Sequence, residues 1–139
     1  MRFIPTTWHG VLDYMTGAFL IAAPWIFDFA RGSYETWIPV VLGIGAIGYS
    51  IFTRYELGLV QALPMRTHLW LDGISGGFLA TSPWFFDFAD YVYLPHVLLG
   101  IFEIGAALFT YTVSDRQRAG ALSDSPVGRH QAAMRTGHA

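Results

Sequence analysis

One phrase, written twice, limits what this chain can fold into more than any other feature. A shift of 59 residues lays HGVLDYMTGAFLIAAPWIFDFA (His9–Ala30) on HLWLDGISGGFLATSPWFFDFA (His68–Ala89), and 12 of the 22 aligned positions are identical. Pro5 and Pro64 correspond as well, and Thr16 meets Ser75, hydroxyl for hydroxyl. After a small change of register, VLGIGAIG (Val41–Gly48) resembles LLGIFEIG (Leu98–Gly105). The fold must therefore accommodate the same two-segment unit twice. A period repeated only twice is a duplication, not a solenoid.

The repeated segments are apolar. Four stretches follow one another, roughly Trp8–Phe29, Trp37–Thr53, His68–Phe88 and Leu94–Thr112. The chain as a whole is 53% hydrophobic and only 13% charged, and it has no lysine; a soluble domain carries about a quarter charged residues. Each stretch approaches the ~20 residues that cross a bilayer as a helix. All five tryptophans sit near the ends of stretches, where indole favours the headgroup level. Backbone in lipid must pair internally, and the runs are too long and lack the alternation for barrel strands. The expected fold is an all-α membrane protein of four transmembrane helices, built as two tandem helix hairpins. An even number of crossings gives both hairpins the same orientation, related by a parallel pseudo-twofold axis.

Arg2 ahead of the first stretch and the small residues of IAAPW resemble a signal peptide. His9 and Asp13 interrupt the apolar run, however, so a retained helix is expected. Arg2, Arg54, Arg66, Arg116, Arg118, Arg129 and Arg135 fall before the first stretch, between the second and third, or after the fourth. The other two loops hold Arg31 beside Asp28, Glu35, Asp87 and Asp90. The positive-inside rule then places both termini in the cytoplasm. Residues 5–53 form the first repeat, 54–63 a linker expected to be a short interfacial helix, 64–112 the second repeat, and 113–139 a disordered cytoplasmic tail. A net charge of −2 argues against a nucleic-acid partner, and the absence of cysteine excludes disulfides and thiol chemistry.

Ser82-Pro83-Trp84, preceded by HLWLDGISGGFLAT and followed after a turn by PHVLLGIFEIGAALFT, resembles the SPW-repeat family of small bacterial membrane proteins. The resemblance runs from Pro5 to about Thr112. The first copy departs from it, with Ala23 in the place of the serine. It implies a multi-pass protein of the bacterial cytoplasmic membrane and implies no mechanism. In physical terms Pro-Trp is a helix-end device. Pro24 and Pro83 each free the carbonyl four residues earlier, on Leu20 and Leu79, and Ser82 can complete the bonding in the second copy. Trp25 and Trp84 then anchor the boundary, and Asp28 and Asp87 end each helix with a carboxylate in water.

The sharper signal is His-x-x-x-Asp, at His9/Asp13 and again at His68/Asp72. A spacing of four puts both side chains on one helix face. Continuing that stripe reaches Gly17 and Gly76, where a neighbouring helix can come close, so the polar stripe should face inward. Charge inside an apolar helix is costly and marks a candidate site. Packing and pairing is the first role expected of these residues, proton or ligand handling the second. Metal binding comes last, although two imidazoles and two carboxylates are enough ligands for zinc or iron. Glu103 lies mid-helix opposite Ala46 of the first repeat, within reach of Ser75 and Thr16. His96 is expected to cap a helix or snorkel at the outer boundary. GIGAIG (Gly43–Gly48) matches a dinucleotide fingerprint, but it lies within an apolar helix and marks close packing instead.

The chain is thus expected to be a non-enzymatic accessory or scaffold subunit of the membrane, without a cofactor, that associates with other membrane proteins or with copies of itself. The alternative is a small proton- or solute-conducting protein that uses His9, Asp13, His68, Asp72 and Glu103. A membrane-bound metal or cofactor protein comes third.

Overall fold

The computed structural model describes residues 2–127 and Met134. Each apolar stretch is a helix: α1 (Thr6–Ile26), α2 (Tyr34–Ile51), α3 (Met65–Phe85) and α4 (Leu94–Phe109). A fifth helix, α5 (Asp115–Ser123), begins at the Ser114 N-cap, whose hydroxyl accepts from Gln117 N–H. The tail expected to be disordered is therefore helical over Asp115–Ser123; its last residues lie outside those described, apart from Met134.

No helix among the described residues is long and apolar enough to cross a membrane. The reasons differ by helix. α4 has 16 residues, about 24 Å at 1.5 Å per residue. The helices α1 and α3 each have 21 residues, but each carries a buried His-Asp pair and an internal proline that lower its mean hydropathy. α2 opens on Tyr34-Glu35 and carries Tyr49-Ser50 in its last turn, before Ile51.

Helices α1 and α2 pack as one hairpin and α3 and α4 as another. Each hairpin crosses where glycines meet. A Cβ on Gly43 would run into the Gly17 carbonyl, and one on Gly100 into the Gly76 carbonyl, so only glycine permits these backbones to approach so closely. The stripe that begins at each histidine ends on this contact, as its spacing predicts. GIGAIG lies wholly within α2, with no strand before it.

The Phe-Asp-Phe phrase is a helix cap. Asp28 and Asp87 adopt left-handed backbone angles (φ 54° and 59°), which aspartate tolerates better than most residues. Phe29 N–H and Phe88 N–H then reach back to the carbonyls of Pro24 and Pro83, both at 2.9 Å. The turn buries Phe29 and Phe88 instead of leaving them at the surface. Between them lies His96, with ring centroids 5.2 and 5.1 Å away and Nε2 3.0 Å from the Glu35 carbonyl. His96 is thus buried and joins the hairpins, in place of the expected cap or snorkel. Below it Leu20, Ile38, Leu79 and Phe88 form an apolar core. In the second copy the Ser82 hydroxyl donates to the Leu79 carbonyl at 2.8 Å, supplying the bond that Pro83 removes.

The linker is not a helix. A bridge between Thr53 and Leu63 closes it into a loop, and Arg54 N–H donates to the Leu63 carbonyl at 2.8 Å. The cause is Tyr55, whose ring is buried against Gly10 and lies 5.6 Å from the His68 ring. A helix lying on the surface could not drive it inward. Burial also pushes the Tyr55 phenol well above its usual pKa. Arg54 and Glu56 turn away from His68: Arg54 Nε donates to the Gln61 carbonyl, and Glu56 accepts from Thr6 and from Arg116 N–H.

Candidate functional site

The inward stripes of α1 and α3 meet on the pseudo-twofold axis. His9 and His68 are fully buried, with Asp13 and Asp72 nearly so. Their four heads form a closed ring. His9 Nε2 lies 3.3 Å from Asp13 Oδ1 and 3.1 Å from Asp72 Oδ2. His68 Nε2 lies 2.9 Å from Asp13 Oδ2 and 3.3 Å from Asp72 Oδ2. Each carboxylate therefore serves the histidine on its own helix and the one opposite. The two sequence pairs make one site.

A second layer of residues holds these groups. Thr53, at the end of α2, places Oγ1 2.8 Å from His68 Nδ1, and Thr110, at the end of α4, places Oγ1 2.9 Å from His9 Nδ1. Each hairpin thus positions the other hairpin's imidazole. Both threonines are fixed in turn, since each pairs with the residue before a helix-starting proline, Leu63 or Ile4. The Tyr49 hydroxyl donates to Asp72 Oδ1 at 2.6 Å, and the Ser50 hydroxyl to Asp13 Oδ2 at 3.4 Å. The sequence did not single out any of these four side chains. One signal was available: Thr53 and Thr110 are separated by 57 residues, the same offset that relates VLGIGAIG to LLGIFEIG.

Glu103 lies one layer further in, buried, with Oε2 3.4 Å from the Ser75 hydroxyl. Between it and the ring is a cavity of about 20 Å³ lined by His9, Asp13, Thr16, Tyr49, Asp72 and Glu103, room for about one water molecule. The remaining residues singled out by the sequence do not reach the site. Pro24, Trp25, Asp28, Ser82, Pro83, Trp84 and Asp87 form the helix ends at the opposite face, with Trp25, Asp28, Trp84 and Asp87 exposed. As ligands, the four ring members each offer one atom, and those atoms all lie within 4.8 Å of one another.

These features define a class: a duplicated, all-helical bundle with a polar centre shared by its two halves. The SPW repeat domain matches residues 7–110, and the chain belongs to the SPW repeat family. No curated protein and no solved structure matches it.

Proposed function

We propose that this chain is a multi-pass protein of the bacterial cytoplasmic membrane, with both termini cytoplasmic, and that it serves as a non-enzymatic accessory or scaffold subunit. The observation that carries this reading is an inverted distribution of side chains. All five tryptophans are 52–69% exposed, and Phe19, Val41, Ile44, Ile74, Phe85, Leu98 and Ile101 are exposed as well. Among the described residues, the largest side chains buried completely include three histidines and four threonines. Water-soluble folds bury the first set and expose the second; lipid favours the reverse. Mean hydropathy counts every side chain of a helix, whereas lipid meets only the outward ones. The polar stripes of α1 and α3 therefore lower the average without changing the lipid-facing surface.

An accessory role is supported by open helix faces. A Cβ on Gly73 or Gly77 of α3 would meet nothing within 4 Å. Gly73 also borders a groove of about 270 Å³ between α3 and α4, with Arg2, Arg66, Trp70 and Leu108. Such small-residue faces suit a partner helix. The conducting alternative draws on the cavity beside Glu103. Beyond that cavity, however, the interior is closed by Leu20, Ile38, Leu79 and Phe88.

The test uses the full chain expressed in bacteria. The protein should stay in the membrane pellet after an alkaline carbonate wash, and reporter fusions after Phe88 should face outward while those after Arg66 face the cytoplasm. Release by carbonate would overturn the membrane reading. Mild detergent should yield a stoichiometric partner or a homo-oligomer; a lone monomer would overturn the accessory role. Dissipation of a pH gradient in liposomes would favour the conductor instead.

A further inference from the structure

The threonines decide which atoms of the histidines face the centre. A threonine hydroxyl has one proton to donate. Thr110 gives its proton to the Ala106 carbonyl at 2.6 Å, and Thr53 gives its own to the Tyr49 carbonyl at 2.7 Å. Each Oγ1 can therefore only accept from the imidazole, so both rings carry hydrogen on Nδ1. Both Nε2 atoms point into the ring of carboxylates.

Hydrogen bonds alone satisfy that arrangement poorly. Each Nε2 has two carboxylate oxygens within 3.3 Å, and one N–H cannot point along both. His68 Nε2 is fully buried and has no hydrogen-bond partner of acceptable geometry, despite lying 2.9 Å from Asp13 Oδ2. An unpaired nitrogen aimed into a buried acidic centre is the arrangement a cation would complete. Tetrahedral coordination at about 2.0–2.1 Å places neighbouring ligand atoms about 3.3 Å apart. The four histidine–carboxylate separations, 2.9 to 3.3 Å, are near that length; they use both oxygens of Asp13, and with one atom from each residue the set lies within 4.8 Å, so the ring would contract around an ion. Histidine ligands characteristically give their other N–H to a fixed acceptor, the role that Thr53 and Thr110 fill here. Two carboxylates also balance the charge of a divalent ion, so the loaded centre would be neutral inside an apolar bundle.

We propose that His9, Asp13, His68 and Asp72 bind one divalent transition-metal ion, with zinc suited to the donor set, and that the ion joins the two repeats. Two ligands come from each hairpin, so the site exists only when the halves are together. The mixed imidazole and carboxylate donors exclude a soft ion such as Cu(I) and suit zinc, iron(II) or cobalt(II). The inference concerns the ring alone and holds whether or not the outer surface lies in lipid.

The test is made on the full chain purified in detergent without chelators. Elemental analysis should find about one metal ion per chain. After chelation, added Co²⁺ should produce the visible ligand-field bands of a tetrahedral site, and Zn²⁺ should abolish them. His68→Gln and Asp13→Asn should each lose the bands, while Asp28→Asn, exposed at the opposite face, should keep them. Because ligand variants can misfold, Thr110→Val serves as the second probe: it leaves every ligand in place and should weaken Co²⁺ affinity about 10- to 100-fold. Helical wild-type protein that neither retains metal nor gives Co²⁺ bands would overturn the proposal. Equal Co²⁺ binding by wild type and His68→Gln would overturn it too.

Discussion

The two carboxylates of the ring are held unequally, and the difference begins with single residues. Tyr49 and Ser50 have Ala106 and Ala107 at the equivalent places of the second repeat, so both donors come from α2. Asp72 receives the Tyr49 phenol at 2.6 Å, whereas Asp13 receives Ser50 at 3.4 Å. A short bond to an ionised acceptor is worth more than a long one, and an acceptor left unsatisfied in a buried site costs about 1–3 kcal/mol. Tyr49→Phe should therefore lower stability by about 1–3 kcal/mol, and Ser50→Ala by less. Denaturant unfolding in detergent measures both. If Ser50→Ala proved the costlier change, the ring would be organised around Asp13 and not Asp72.

At the scale of helices, close approach decides which glycines matter. Gly43 of α2 lies against the Gly17 carbonyl, while Gly45, two residues on, faces open space. Gly43→Val must push the hairpin apart and should cost about 1–3 kcal/mol or more. Gly45→Ala should be neutral or should stabilise by up to about 1 kcal/mol through helix propensity. Thermal midpoints of the two variants would show the contrast, and equal effects would mean that the crossing is not where α1 and α2 are clamped. This crossing was legible in the sequence because it continues a four-residue stripe from His9 and Asp13. The four long helices were legible as continuous apolar runs, two of which, α1 and α3, end at Pro-Trp and Phe-Asp-Phe. The linker was not, because Tyr55 gains its burial from Gly10 and His68, which are distant in sequence and leave no local pattern. Thr53 and Thr110 escaped notice likewise: His9 and Thr110 are partners across 101 residues.

For the whole molecule, two joints besides the one at His96 hold separate parts together, and the first lies at the tail. Thr6 is buried where three segments meet: its hydroxyl donates to Glu56 at 2.6 Å and accepts from Asp115 N–H at 3.0 Å, while Asp115 Oδ2 accepts from Thr7. Compared with truncation after Ser125, truncation after Val113 should cost about 1–3 kcal/mol through lost hydrogen bonds. Equal stability of the two truncations, read by thermal unfolding, would show that α5 contributes nothing to the bundle. The second joint is the ring itself, because His9 and His68 each lie within 3.3 Å of both Asp13 and Asp72. Asp13→Asn therefore disturbs the partners of Asp72 as well as its own. Once one carboxylate is gone the shared centre is already broken, so losing the second should cost less than it does in the intact protein. The double variant Asp13→Asn with Asp72→Asn should be destabilised by less than the sum of the singles, with an interaction energy of about 0.5–3 kcal/mol. Denaturant unfolding of wild type, both singles and the double, in one detergent and at one pH, completes the cycle. Agreement with the sum to within about 0.5 kcal/mol, the behaviour of independent sites, would mean that each His-Asp pair serves only its own helix and that the two repeats are joined elsewhere, at Phe29, Phe88 and His96.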